Sequence, residues 1–250
     1  MMLTRAVVPT LFTVLNMFCG FLSIVHSSDG QYITASYFIL LAAVFDSLDG
    51  VMARLTKSSS RFGVEIDSLS DVVSFGAAPA FLVYRLQLFQ LEAWGILISS
   101  LLVILGGIRL ARFNVQLVGF DKEYFTGLPI PASAIAVVTY VLTFIIDGKR
   151  IEGAAASFLP FLVVALSLIM VSTIKYDTLP KLSKKEIKKH PLKFISIFFA
   201  LLIVIFTKGY AIFYLIAAFV LFGVVRHIIR FSKHQNKTEQ EVEEIPSYDV

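Results

Sequence analysis

The chain has 250 residues, 57% of them hydrophobic and only 16% charged, with a mean hydropathy of +0.79. A soluble domain is roughly half apolar and about a quarter charged, and one of this size has no core large enough to absorb the excess, which argues against a soluble helical protein. The net charge of +4 points only weakly to a nucleic-acid partner, and none is expected; the single cysteine, Cys19, excludes an internal disulfide or a thiolate metal cluster.

Apolar runs recur along the whole chain at about the ~20 residues a helix needs to cross a bilayer. In chain order the predicted spans are 8–26, 31–54, 68–86, 93–113, 131–147, 153–174, 192–207 and 209–230. The fold class expected is therefore all-α, a polytopic transmembrane bundle of about eight spans. The first run ends without a small-residue cleavage site and is expected to be a retained span. Cys19, inside it, is expected to be a small buried side chain. The last two spans are separated only by Lys208-Gly209, which predicts a helical hairpin.

Charge placement supports an even number of spans. Both termini then share one side, and of the 22 Lys and Arg only Arg85, Lys149, Arg150 and Lys208 fall on the other. Cytoplasmic loops carry the Lys/Arg excess, so both termini are expected in the cytoplasm. The basic run Lys181–Lys193 suits topology enforcement, or attraction to anionic lipid.

The informative stretch is 45–80, FDSLDGVMARLTKSSSRFGVEIDSLSDVVSFGAAPA. An ionisable residue in a membrane span is a functional-site hypothesis by default. Asp46 and Asp49 close the second span on its cytoplasmic side, and Asp67 and Asp71 open the third. Residues i and i+3 differ by about 60° around a helix axis, and i and i+4 by about 40°, so each pair shares a face. The short connection 55–66 predicts neighbouring antiparallel helices, so all four carboxylates can meet at one depth. Their charges need neutralising. Oxygen ligands suit hard divalent cations such as Mg²⁺ or Mn²⁺, and two of them would balance four carboxylates. Paired metals of this kind serve phosphoryl displacement. Capping, or pairing with Lys57 and Arg61, is the competing structural explanation. Gly50 and Ala53 are small enough for a head group to approach, Arg54 can fork onto a diphosphate, Gly63 opens the loop before Asp67, and Ser58, Ser59 and Ser60 offer hydroxyls.

Together these residues resemble the motif of the CDP-alcohol phosphotransferase family, D-x2-D-G-x2-A-R-x8-G-x3-D-x3-D, matched at Asp46, Asp49, Gly50, Ala53, Arg54, Gly63, Asp67 and Asp71. The resemblance implies a helical bundle, usually a homodimer, with its site at the cytoplasmic leaflet of the cell membrane. It implies that Asp46, Asp49, Asp67 and Asp71 hold two divalent metals, that Asp71 is the general base, and that Gly50, Ala53, Arg54, Ser60 and Gly63 cradle a CDP moiety. Through 71–80, 106–115 and 126–134 the chain looks like the serine-specific branch, which moves a phosphatidyl group from CDP-diacylglycerol to L-serine. The likeness covers roughly residues 5–175, a core of about six spans. Residues 176–231 then form two additional spans with a basic cytoplasmic loop, and 232–250 a polar tail expected to be disordered.

Serine's carboxylate calls for a cation. Arg109 and Arg112, with Asn114 beyond, are candidates, though arginines at a span end also act as snorkelling anchors. Asn16 either lines the nucleotide pocket or hydrogen-bonds a neighbouring helix. Gly127, Pro129 and Pro131 are expected to shape the turn into the fifth span. Other readings are the same chemistry with glycerol 3-phosphate or inositol phosphate as acceptor, and a divalent-cation transporter. The clustering of the acids on one side, instead of through the membrane's depth, argues against transport.

Overall fold

In a computed structural model the described residues are 2–56, 61–116, 124–177, 203–204, 206–207 and 209–243. They are almost wholly helical. Helices α1 (Met2–Ser28) and α2 (Tyr32–Thr56) form an antiparallel pair. The next span is composite: α3 (Arg61–Asp71), a π-helical segment (Val72–Ala77) and α4 (Ala78–Leu86). After a short 3₁₀ turn (Leu88–Leu91) come α5 (Ala93–Gln116), α6 (Ile130–Phe144), α7 (Gly153–Val171) and α8 (Ala211–Glu243). Strands β1 (Tyr124–Thr126) and β2 (Lys175–Asp177) pair antiparallel, with Phe125 opposite Tyr176.

Among the described residues six helical stretches are long and apolar enough to cross a membrane: Pro9–Ser28, Tyr32–Ala53, Phe62–Leu86, Ala93–Val115, Gly153–Val171 and Ala211–Ile229, with α6 a shorter apolar helix. They match seven of the eight predicted spans. Most of the other, 192–207, lies outside the described residues, as does the basic loop. The predicted hairpin turn survives at its far end. Gly209 takes φ +91, its N–H reaches the Val204 carbonyl at 2.9 Å, and the Thr207 hydroxyl accepts from the Ala211 N–H at 3.2 Å, starting α8.

The helices differ from expectation in three places. The third span begins at Arg61, so Gly63 lies in its first turn and opens no loop. The π register follows from Pro79. Proline has no N–H to give the Phe75 carbonyl in an α register, and the Ala78 N–H instead bonds the Val73 carbonyl five residues back. Helix α8 continues past Ser232 to Glu243, where a disordered tail was expected. Its extension is mostly Lys, Gln and Glu, good helix formers, with no proline before Pro246.

Lipid is as apolar as leucine, so membrane helices associate through close packing and polar contacts. Gly20 and the hydroxyls of α3 and the π segment provide both. The Ser70 hydroxyl donates to the Thr13 carbonyl at 3.0 Å and the Ser74 hydroxyl to the Asn16 carbonyl at 2.8 Å. A Cβ at Gly20 would stand 2.7 Å from Ser74 Cα. The turn into α6 is built as expected: Gly127 has φ +78, and Pro129 and Pro131 flank the first residue of the helix. Cys19 is buried and unpaired.

Overpacking typically costs about 1–3 kcal/mol. Gly20→Ala should therefore lower the thermal unfolding midpoint in detergent. Gly107→Ala, which meets open space, should not.

Candidate active site

Helices α2 and α3 pack far more against α1 than against each other, so α1 is the wall of the notch between them. Asp46 and Asp49 enter the notch from α2, and Asp67 and Asp71 from α3. One oxygen of each of Asp46, Asp49 and Asp67 lies within 4.8 Å of the other two. Asp71 joins them through Asp46, the two carboxyl groups standing within hydrogen-bonding reach, as do those of Asp49 and Asp67. Asp49 and Asp71 are each buried. The structure thus brings together all four acids expected from the i, i+3 and i, i+4 spacings.

Two side chains of α1 reach into this cluster. The Thr13 hydroxyl lies 3.1 Å from Asp49 Oδ2, and the Asn16 amide nitrogen donates to Asp71 Oδ1 at 3.4 Å. Asn16 therefore contacts a neighbouring span, as one of its two sequence readings held, and that neighbour is a site carboxylate. Thr13, Ser70 and Ser74 escape sequence reasoning. The signal in the sequence was Thr10, Thr13 and Asn16 spaced three apart along the first span.

The fourth-span candidates have separated. Arg112 donates from both terminal nitrogens to the end of α7, to Val171 O at 3.1 Å and Ser172 O at 3.3 Å. These are orphan carbonyls of a helix C-terminus, where a cation is favourable. Asn114 donates to the Ser68 hydroxyl at 2.8 Å, tying α5 to α3 beside Asp67. Arg109 is only 6% exposed, and its guanidinium carbon lies 5.9 Å from the Phe113 ring centre, within cation–π range. It feels the charge of Asp71, and its Nε finds no partner among the described residues. Gly50 and Ala53 lie half-buried on α2 beyond Asp49. Ser60 and the side chain of Arg54 lie outside the described residues.

The cluster fits a hard cation. Its donors are all carboxylate oxygens, the set that suits Mg²⁺ or Mn²⁺. Asp67 Oδ1 is buried without a hydrogen-bond partner, and among the described residues no basic side chain forms an ion pair with any of the four acids. Carboxylates packed this closely need positive charge between them.

Residues 6–174 match the family model described as CDP-alcohol phosphatidyltransferase. The chain belongs to that family. Such enzymes generally depend on divalent metal, and the acidic cluster is what this chain offers one. Membership also sets aside the transporter reading. Among its relatives, a Helicobacter pylori CDP-diacylglycerol–serine O-phosphatidyltransferase is 36% identical over 227 residues, covering 90% of this chain and 92% of that protein. An archaetidylserine synthase of Methanothermobacter thermautotrophicus is 44% identical over 170 residues, 67% of this chain and 68% of the relative. A Saccharomyces cerevisiae CDP-diacylglycerol–serine O-phosphatidyltransferase is 42% identical over 140 residues, half of each chain.

Hydrogen bonds from charged groups contribute about 1.5–3 kcal/mol each. Arg112→Gln should therefore lower the stability of the protein in detergent, with no rise in the KM for the acceptor. A raised acceptor KM at unchanged stability would return Arg112 to the binding site.

Proposed function

We propose that this chain transfers the phosphatidyl group of CDP-diacylglycerol to the hydroxyl of L-serine, releasing CMP. The observation that carries the reading is the cluster of Asp46, Asp49 and Asp67, with Asp71 one turn along α3, and near it a buried arginine, Arg109, whose Nε has no partner among the described residues. The relatives' names point to the same reaction.

Asp46, Asp49, Asp67 and Asp71 would hold two divalent cations, Mg²⁺ or Mn²⁺. When bound, such a pair neutralises diphosphate charge and stabilises the attacking and leaving oxygens of an in-line displacement. Gly50, Ala53, Arg54, Ser60 and Gly63 hold the CDP moiety. Arg54, one turn beyond Gly50 on the helix, forks onto the diphosphate. Asp71 accepts the proton of the serine hydroxyl. The serine oxygen then bonds to the phosphorus that carries diacylglycerol, and the bond from that phosphorus to the CMP oxygen breaks. The burial of Asp71 excludes competing water. Asn16, bonded to Asp71, orients that base instead of touching nucleotide.

Arg109 receives the serine carboxylate. Its burial strengthens the pairing, and Phe113 supports the guanidinium plane. Arg112 and Asn114, already bonded elsewhere, frame the pocket. Glycerol 3-phosphate and inositol phosphate carry doubly charged phosphates and would ask for more than one open cation. Among the described residues Arg109 is the one arginine that combines burial, nearness to Asp71 and an open N–H.

Residues 1–175 form the catalytic core on this reading, 176–231 an added pair of spans with a basic cytoplasmic loop, and 232–250 a polar tail that leaves the membrane. Charge placement favours both termini and the site on the cytoplasmic side of the cell membrane. A homodimer would cover the exposed apolar face of α5 at Leu97, Ile104 and Ile108.

Purified protein in detergent, given CDP-diacylglycerol and Mn²⁺ or Mg²⁺, should release CMP with L-serine, and not with glycerol 3-phosphate or inositol phosphate. Release with another acceptor would overturn the serine assignment. Asp71→Asn should lower kcat by about 10²–10⁴-fold, the usual contribution of a general base. Arg109→Gln should raise the KM for serine by about ten- to a hundredfold, as expected for a lost charged hydrogen bond, with the KM for CDP-diacylglycerol unchanged. A serine KM equal to that of the unaltered protein would remove Arg109 from the acceptor pocket.

A further inference from the structure

The four acids come from α2 and α3, but side chains of α1 hold two of them, Asp49 and Asp71. The same two-part arrangement occurs twice along that helix. At Thr13 the side chain reaches Asp49 Oδ2 at 3.1 Å, while the Thr13 carbonyl accepts the Ser70 hydroxyl at 3.0 Å. At Asn16 the side chain reaches Asp71 Oδ1 at 3.4 Å, while the Asn16 carbonyl accepts the Ser74 hydroxyl at 2.8 Å. In each case a residue of α1 holds an acid with its side chain and is itself held by a serine of the third span. The spacing fits helix geometry: three residues on α1 face four on the third span.

The Thr13 unit is the one that bridges helices. Asp49 belongs to α2 and Ser70 to α3, so Thr13 links the two acid-bearing helices, which make little contact with each other directly. Thr13 is only 4% exposed. That hydroxyl carries one hydrogen and stands near two acceptors, Asp49 Oδ2 at 3.1 Å and Pro9 O at 3.2 Å. The Pro9 carbonyl lies four residues back on the same helix and is the ordinary backbone acceptor for a threonine hydroxyl. Asp49 is the acceptor that depends on the tertiary fold. A neutral donor on one oxygen of a carboxylate fixes its rotation without cancelling its charge. That is what partners one step out from a metal ligand do, and losing them typically costs 10–100-fold in metal affinity.

We propose that Thr13 is a positioning residue for the divalent-cation site, holding Asp49 in the orientation that binds the ion and coupling α2 to α3 through α1. The proposal rests on the metal assignment of the preceding section. It makes Thr13, beside Asn16, a second contribution to the site from the first span, which supplies no carboxylate.

Direct Mn²⁺ binding, read as loss of the free-ion electron paramagnetic resonance signal in detergent, tests it without turnover. Thr13→Val keeps the shape of the side chain and removes the hydroxyl, and it should weaken Mn²⁺ binding about tenfold or more. Thr13→Ser restores the hydroxyl and should bind as the unaltered protein does. Asp49→Asn weakens binding by itself, and adding Thr13→Val to it should cause no further loss, because the threonine acts through that carboxylate. Unchanged affinity in Thr13→Val overturns the proposal while leaving the metal site standing. So does an equal further loss in the Asp49→Asn background, which would mark a general packing defect. If Thr13→Val elutes as aggregate, Thr13→Ala and the serine variant carry the same comparison. Absence of Mn²⁺ binding in the unaltered protein would overturn the metal assignment and this proposal together.

Discussion

Four carboxylates crowded into a notch between two membrane helices are the constraint on which the rest of the molecule depends. Charge in a low-dielectric setting is tolerated only when it is paired, and among the described residues no basic side chain pairs with these acids. The fold therefore concentrates them at one end of the spans, within reach of mobile cations. It surrounds them with neutral donors, the Thr13 hydroxyl and the Asn16 amide, that fix their geometry without cancelling their charge. A salt bridge there would have made a more stable protein and a poorer metal site.

Holding the notch open at a fixed width is the next requirement, and α1 meets it. With no hydrophobic drive between helices in lipid, contact depends on small residues and interhelical hydrogen bonds. Gly20 lets the π-helical segment approach α1 closely, and two serine hydroxyls then bond carbonyls that belong to the very residues touching the acids. The π register that follows Asp71 belongs to the same design. A wider turn changes the angular relation between Asp71 and the residues beyond it. Ser70 and Ser74 flank that change and both still face α1. At the far wall, Arg112 closes the end of α7 and Asn114 binds Ser68, so α5 is anchored on both sides of Arg109.

Much of this was legible in the sequence, and the reason is periodicity. Span lengths follow from bilayer thickness, so seven predicted spans have helices at their places. The convergence of Asp46 with Asp49, and of Asp67 with Asp71, follows from 3.6 residues per turn. What was not legible depends on neighbours distant in the chain. Ser70 and Ser74 look like ordinary span residues until α1 is seen beside them. The π segment arises from one missing N–H at Pro79, whose effect on register is a matter of competing hydrogen bonds. Gly63 reads in the sequence as opening the loop before Asp67, yet the helix begins two residues earlier. The continuation of α8 to Glu243 turns on helix propensity in a segment whose polarity suggested only solvation.

Arg109 and Arg112 show why residue type and spacing could not settle the acceptor pocket. They lie three apart, about 60° around one helix, and either could serve a carboxylate. Their difference is in what α5 meets on each side. One guanidinium points at the end of α7, where backbone carbonyls already want a cation, and the contact completes the protein's own hydrogen bonding. The other is buried, with no partner for its Nε among the described residues, a state that is costly unless something completes it. A buried, incompletely bonded charge next to a second functional group is poor design for stability alone. It becomes good design when the missing partner is an anion that arrives with the acceptor. Selectivity then resides less in the number of arginines than in Arg109, which the fold leaves without a partner for its Nε among the described residues.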